Sequence, residues 1–326
     1  SAAVTAAWHG QRVIVVEKDE VFGGATAWSG GWMWVPCNPL AQRAGIIEDR
    51  SLPRTYLEHE LGDHFDPTMI DAFLEAAPNM VSFFERHTAL QFADGNAIAD
   101  IHGDTPGAGT GGRSVIAAPY NAYAVGKLLR RLRKTMRETS FMGMPIMAGA
   151  DLAAFLNMTR SPKALLHVCK RFGRHLYHLA RHGRAMHLVN GVALVARLAK
   201  SAQDLGVRLQ ASAPAKRLLI ENGQVRGAWV ATPQGEQLIR AKAVVLAAGH
   251  DDVVAAAVGQ RRHEVARIRR RLQHQAVVLV PGRLPAGETQ DAGPEHGAEE
   301  QGEQNEQDAC GGIGAVNGCH DLVLTR

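Results

Sequence analysis

Between Ala2 and Lys18 the chain runs from helix to strand to acid, and that order constrains the fold more than any other feature. Residues 2–9 read as the end of an alanine-rich helix. Gly10 ends it, as a glycine just past a helix C-terminus does. The run RVIVVEK at 12–18 is short, apolar and β-branched, so it reads as a buried parallel strand. Helix, glycine, strand and acid make the second half of a βαβ unit. The first half, a strand and a GxGxxG turn, is expected before Ser1. The chain opens without a methionine, and it is read as beginning inside a longer protein.

The pair Glu17-Lys18 closes that strand. An acid there can accept hydrogen bonds from the ribose hydroxyls of a dinucleotide, although a strand-end acid is often only solvated. The loop GGATAWSGG at 23–31 follows. Gly23, Gly24, Gly30 and Gly31 let backbone N–H groups approach a phosphate or a flat ring without a Cβ in the way. Thr26 and Ser29 add hydroxyls. Trp28, Trp32 and Trp34 fall within seven residues, which suggests a loop packed against something large and flat rather than a free surface loop.

Further along, Met69, Phe73, Leu74, Met80 and Phe83 predict a helix over 66–87, broken at Pro78. Residues 121–137 read as a basic amphipathic helix and 163–187 as a second, rich in histidine. His175, His178 and His182 share a face of that helix. With Lys and Arg neighbours and no carboxylate among them, they read as a basic face and not a metal site. Residues 190–205 predict another helix, ended by Gly206. Asn222-Gly223 between alternating runs signals a hairpin. AVVLAAG at 243–249 is apolar throughout and reads as a central parallel strand. Residues 251–280 mix apolar residues with arginines. From about 283 the chain is poor in apolar residues and is expected to be disordered or foreign to the fold.

No stretch is long and apolar enough to span a bilayer. The cysteines Cys37, Cys169, Cys310 and Cys319 do not fall at metal spacing, so a reducing, cytoplasmic setting is the simplest expectation.

The segment AAVTAAWHGQRVIVVEKDEVFGGATAWSGGWMWVPCNP resembles the FAD-binding domain of the fumarate reductase flavoprotein and 3-ketosteroid Δ1-dehydrogenase family. NGVALVARLAKSAQDLGVRLQASAPAKRLLIENGQVRGAWV and AVVLAAG carry the resemblance further, with the same order and spacing. Pro36, Asn38 and Pro39 favour the steroid-dehydrogenase branch. The resemblance implies an incomplete Rossmann-like α/β FAD-binding domain with an inserted, mainly helical substrate segment. The expected divisions are 1–45 and 190–250 for the FAD domain, 46–189 for the insertion and 251–326 for a tail outside the family pattern. It assigns the adenosine ribose to Glu17, beside Lys18. It assigns the pyrophosphate and flavin to Gly23, Gly24, Ala25, Thr26, Ser29, Gly30 and Gly31, the adenine to the backbone of Ala215, and the end of a cofactor-side strand to Ala248 and Gly249.

The activity implied is hydride transfer from a CH–CH bond beside a carbonyl, with a small-molecule substrate such as a steroid or other cyclic ketone and an unidentified electron acceptor. Pro106, Gly107, Gly111, Gly112 and Arg113 fit the family's substrate-side loop. Its tyrosine position falls at Ile101, which leaves His102 as the candidate proton-exchanging residue. The family's polarising groups lie beyond the AVVLAAG strand, where this text turns to GHDDVVAAAVGQRRHEVARIRRRLQ, as if read in a shifted frame. Two alternatives therefore stand beside the enzyme: an inactive remnant of such a flavoprotein, and a basic protein that binds nucleic acid or a membrane surface through residues 127–184.

Overall fold

The computed structural model describes residues 1–138, 140–248, 275–280 and 322–323. Helix α1 (Ala2–Trp8) leads into β1 (Ile14–Glu17). After the glycine-rich loop come β2 (Trp32–Trp34), α2 (Pro39–Arg43), α3 (Ser51–Leu61) and α4 (Pro67–His87). Next are β3 (Phe92–Asp94), β4 (Ser114–Ala117) and β5 (Tyr120–Asn121). The hairpin β6 (Ser140–Phe141) and β7 (Met144–Pro145) precedes α5 (Ala150–Leu156), α6 (Pro162–His182), β8 (His187–Leu188) and α7 (Asn190–Asp204). The remaining strands are β9 (Arg208–Gln210), β10 (Ala215–Glu221), β11 (Gln224–Thr232), β12 (Gly235–Arg240), β13 (Ala243–Ala248), β14 (Gln275–Val280) and β15 (Leu322–Val323).

The sheet that organises the molecule has the order β15-β13-β14-β1-β9. β1 is parallel to β9 on one side and antiparallel to β14 on the other, so the expectation of a parallel strand holds for one of its two partners. β13 lies inside the sheet, but both of its partners, β14 and β15, are antiparallel to it. That corrects the expectation of a parallel neighbour. An all-apolar run reports burial on both faces and says nothing of which way its partner points. β14 is itself antiparallel to β1, so β1 and β13 run in the same direction with one reversed strand between them. α1 packs on α7 and on β14. Val4, Val13, Ala196, Val245 and Val278 meet in the core beneath. Leu322 and Val323, inside the stretch expected to be disordered, pair with β13; the rest of that stretch lies outside the described residues.

β10, β11 and β12 form an antiparallel meander. Its first turn has Asn222 and Gly223 at φ 52° and 73°, the left-handed pair that an Asn-Gly hairpin turn requires.

Two helix predictions change. α4 runs unbroken through Pro78. It buries Leu74, Ala77, Val81 and Phe84 on one stripe, and packing on both sides of the proline outweighs the one hydrogen bond its ring removes. Residues 121–137 are not an α-helix. Ala122–Arg131 is 3₁₀, with non-helical backbone at Gly126, and the following residues extend so that Phe22 N–H donates to Arg131 O at 2.7 Å and Arg133 N–H to Phe22 O at 2.9 Å. That pairing carries the chain back to the glycine-rich loop.

Candidate functional site

β1 ends on Glu17, which is buried at 3% exposure. Its Oε1 accepts from Asp19 N–H at 3.1 Å. Among the described residues no ion pair reaches it. Burial lifts its pKa to about 7, against two opposing backbone hydrogen bonds. A buried carboxyl without a cation is costly, and two hydroxyl donors would relieve that cost. The residue therefore fits the ribose of a dinucleotide.

Register brings the other predicted positions to the same edge. Glu17 lies opposite Ala276, and Ala276 opposite Ala247. The C-terminal ends of β1 and β13 thus stand about 10 Å apart, two strand spacings, at the edge where α/β sheets take their ligands. Ala248 is the last residue of β13; Gly249 lies outside the described residues. Ala213 N–H donates to Glu17 O and Ser212 N–H to Asp19 O, both at 2.8 Å. These bonds lead the chain past the acid to Ala215 at the start of β10.

The glycine-rich loop leaves this edge and closes on the N-terminus of α7. Gly191 N–H donates to Ser29 O at 3.2 Å. A Cβ on Gly191 would stand 1.8 Å from Thr26 O, and one on Gly31 would stand 2.6 Å from Gly191 N. These two glycines are there for backbone contact within the protein. Gly23 and Gly24 adopt positive φ, while Gly30 has room for a side chain. Ser29 Oγ donates to Thr26 O at 2.8 Å and accepts from Gly31 N–H at 3.1 Å, so its proton is committed inside the loop. Ala25, Thr26, Trp28, Ser29 and Gly30 are exposed and form the outward surface of the loop. Lys18, half-buried, follows Glu17 at the same edge.

The three indoles divide. Trp28 lies under the Arg133 guanidinium, 4.6 Å from Cζ to ring, and Arg133 pairs with Asp19. Trp34 stacks with Phe73 at 6.3 Å, and its Nε1–H donates to Asp100 at 2.7 Å. Trp32 pairs in register with Ile116 on β4. Each of the three thus has a partner within the protein, and Trp28, at 37% accessible, is the most open of them.

Sequence reading missed Arg133, because a helix over 121–137 would have turned it to solvent. It also missed the partners of Arg113. That side chain, 1% exposed, pairs with Glu48 and with Asp100 and lies over Trp34 and Tyr56. No local pattern joins residues 48, 100 and 113.

His102 sits on the surface near α3. Its Nδ1 is 2.6 Å from Glu60 Oε2, and Thr105 Oγ1 donates to the other oxygen at 2.7 Å. Ile101 is 91% exposed. The His175, His178 and His182 face runs from buried at His175 through half-buried at His178 to exposed at His182, so only its His175 end departs from the solvated basic face expected. His175 is buried, with Nε2 3.0 Å from Met142 O, and His182 Nε2 is 2.8 Å from Tyr123 OH. No cluster of metal-ligating residues occurs among the described residues.

Comparison with known proteins shows the family of the chain. A family model described as an FAD binding domain matches residues 1–304. The chain is 35% identical over 253 residues to a 4-oxocyclohex-2-ene-1-carboxylate 5-dehydrogenase of Sinomonas cyclohexanicum, covering 76% of this chain and 42% of that protein. It is 32% identical over 257 residues to a 3-oxosteroid 1-dehydrogenase of Mycobacterium tuberculosis, covering 76% and 44%. The crystal structure of 3-ketosteroid delta1-dehydrogenase from Sterolibacterium denitrificans, in complex with 1,4-androstadiene-3,17-dione, superposes with a TM-score of 0.63 at 27% identity, over 73% of this chain and 43% of that one. The chain spans less than half the length of these relatives.

Proposed function

Because the chain belongs to the FAD-binding-domain family of flavoproteins, we propose that it is the cofactor-binding part of a dehydrogenase acting on a CH–CH bond beside a ring ketone. The observation that carries this reading is the convergence of Glu17, the 213–215 turn and the end of β13 on one sheet edge. Glu17 holds the adenosine ribose through its carboxylate. Gly23 and Gly24, with the exposed Ala25, Thr26, Ser29 and Gly30, meet the pyrophosphate and flavin, and Ala215 meets the adenine. When bound, FAD supplies the hydride-accepting chemistry; the protein orients and polarises.

Substrates named for the relatives are ring ketones, so a cyclic ketone, steroidal or smaller, is the proposed substrate class, and neither nucleic acid nor an integral membrane segment enters the reading. His102 is the proposed proton-exchanging residue, with Glu60 holding its Nδ1.

One observation favours a second reading, a cofactor domain without turnover: the position where the resemblance calls for tyrosine is Ile101, which cannot exchange a proton. Purified protein distinguishes them. Flavin absorbance that is bleached anaerobically by a 3-ketosteroid or an oxocyclohexane carboxylate, and not in His102→Ala, supports the enzyme. Flavin that stays oxidised with every ring ketone supports the second reading. Colourless protein that takes up no added FAD overturns both.

A further inference from the structure

The surface of α6 divides into three sectors along its axis, and only one of them faces the protein. Val168 and His175 are buried, with Arg171 and Phe172 half-buried beside them. The second sector is apolar and exposed. Leu165, Leu166, Leu176 and Tyr177 are 46%, 71%, 42% and 62% accessible. At 3.6 residues per turn the eleven-residue spacings 165–176 and 166–177 stack these side chains in two adjacent rows. The third sector is cationic: Lys163, Lys170, Arg174 and Arg181 fall on one line and are exposed. α6 contains no Asp or Glu. Its ion pairs among the described residues run from His167 and Arg171 to Asp151 and involve none of those four.

The apolar sector continues beyond the helix. In the turn between β6 and β7, Phe141 and Met142 are 51% and 60% exposed. The turn is held to α6 by the Phe141–Phe172 ring contact at 5.5 Å and by the His175 bond to Met142 O.

An ordinary surface helix points its apolar stripe at the core. α6 has a second stripe pointing away from it, bordered by unpaired cations. A patch of that kind marks an interaction site. A nucleic acid would use the cationic line and leave the leucines in water. A second copy of the chain, docked by two-fold symmetry, would bring two cationic lines together. A bilayer surface with anionic headgroups satisfies both sectors at once, with the leucines at the acyl boundary and the lysines and arginines among the phosphates.

We propose that α6, with the β6–β7 turn, is a peripheral docking surface for an anionic phospholipid bilayer, the helix lying in the interface plane. No helix among the described residues is long and apolar enough to cross a membrane, and α6 is proposed to lie on the bilayer surface and not through it. The proposal is independent of cofactor and substrate.

Co-sedimentation of the full chain with vesicles tests it. Vesicles of phosphatidylcholine with phosphatidylglycerol should bind the protein, vesicles of phosphatidylcholine alone should bind it more weakly, and added salt should release it. Leu166→Glu with Tyr177→Glu should lower binding about tenfold or more. Lys170→Glu with Arg174→Glu should abolish the preference for phosphatidylglycerol. All four side chains are exposed, so an unchanged thermal midpoint separates lost docking from lost folding. Failure to bind mixed vesicles at low salt overturns the proposal. So does equal binding by both variants, double-stranded DNA that outcompetes the vesicles, or a dimer in sedimentation that the Leu166/Tyr177 variant dissociates.

Discussion

Glu17 couples the site to pH. Its folded pKa of about 7 lies above the ordinary carboxylate value of 4.5, chiefly through burial. The folded chain therefore holds the proton more tightly than the unfolded one. The stability this confers is complete below about pH 4.5 and is lost as pH rises through 7. Cofactor-free protein should lose a few kcal/mol at most over that window, and Glu17→Gln should flatten the profile in thermal unfolding. FAD affinity should run the other way, because the ionised carboxylate accepts two ribose hydroxyls. Fluorescence titration should show binding tightening as pH passes 7 in the native protein and a weaker, pH-independent affinity in the variant. Arg113 works by a different principle. It is enclosed by Glu48, Asp100, Trp34 and Tyr56, so Arg113→Met leaves two carboxylates facing each other without their cation. A loss of about 3–5 kcal/mol is expected in urea unfolding, with Arg113→Lys recovering part of it.

At the scale of elements, the glycine-rich loop is useful only as far as α7 fixes it. Gly191→Ala places a methyl against Thr26 O, and the loop or the helix must move. The variant should lose FAD binding by about tenfold or more while keeping most of its helical circular dichroism, since α7 is otherwise a well-buried amphipathic helix. A change below twofold would mean that the loop holds no cofactor. This contact also marks the limit of what the sequence discloses. β1, α7 and the Asn222-Gly223 hairpin were legible, because each is written in a local period or turn signal. Gly31 stood out in its loop, but Gly191 did not stand out at the head of α7, and their contact spans 160 residues and has no local signature. α4 and the 121–137 segment show the converse. Pro78 looked like a break and was overridden by burial on both sides. The leucines at 128, 129 and 132 looked α-helical, yet they are buried from a 3₁₀ turn and an extended segment that aims Arg133 at Trp28.

For the whole molecule, the sheet depends on a strand far from the rest in sequence. β1 and β13 both end at the proposed cofactor edge, and neither pairs with the other. β14 joins them, running against both. It places Leu279, fully buried, against the cluster that contains Val16, Val244 and Leu246. Glu17 and Ala247 face one another across Ala276 only while that strand is in place. Stability and cofactor affinity are thus linked through the register of β14 between β1 and β13. Leu279→Ala removes a buried side chain between the two halves of the sheet, and a loss of about 2–5 kcal/mol is expected, read as a lower urea midpoint. FAD affinity should fall with it, and added FAD should restore part of the midpoint by mass action. The control is Ile220→Ala on β10, where the side chain is 55% exposed, which should shift neither quantity comparably. If Leu279→Ala leaves the midpoint within about 0.5 kcal/mol of the parent, β14 does not hold β1 and β13 together in solution. The cofactor edge would then have to be built by another strand.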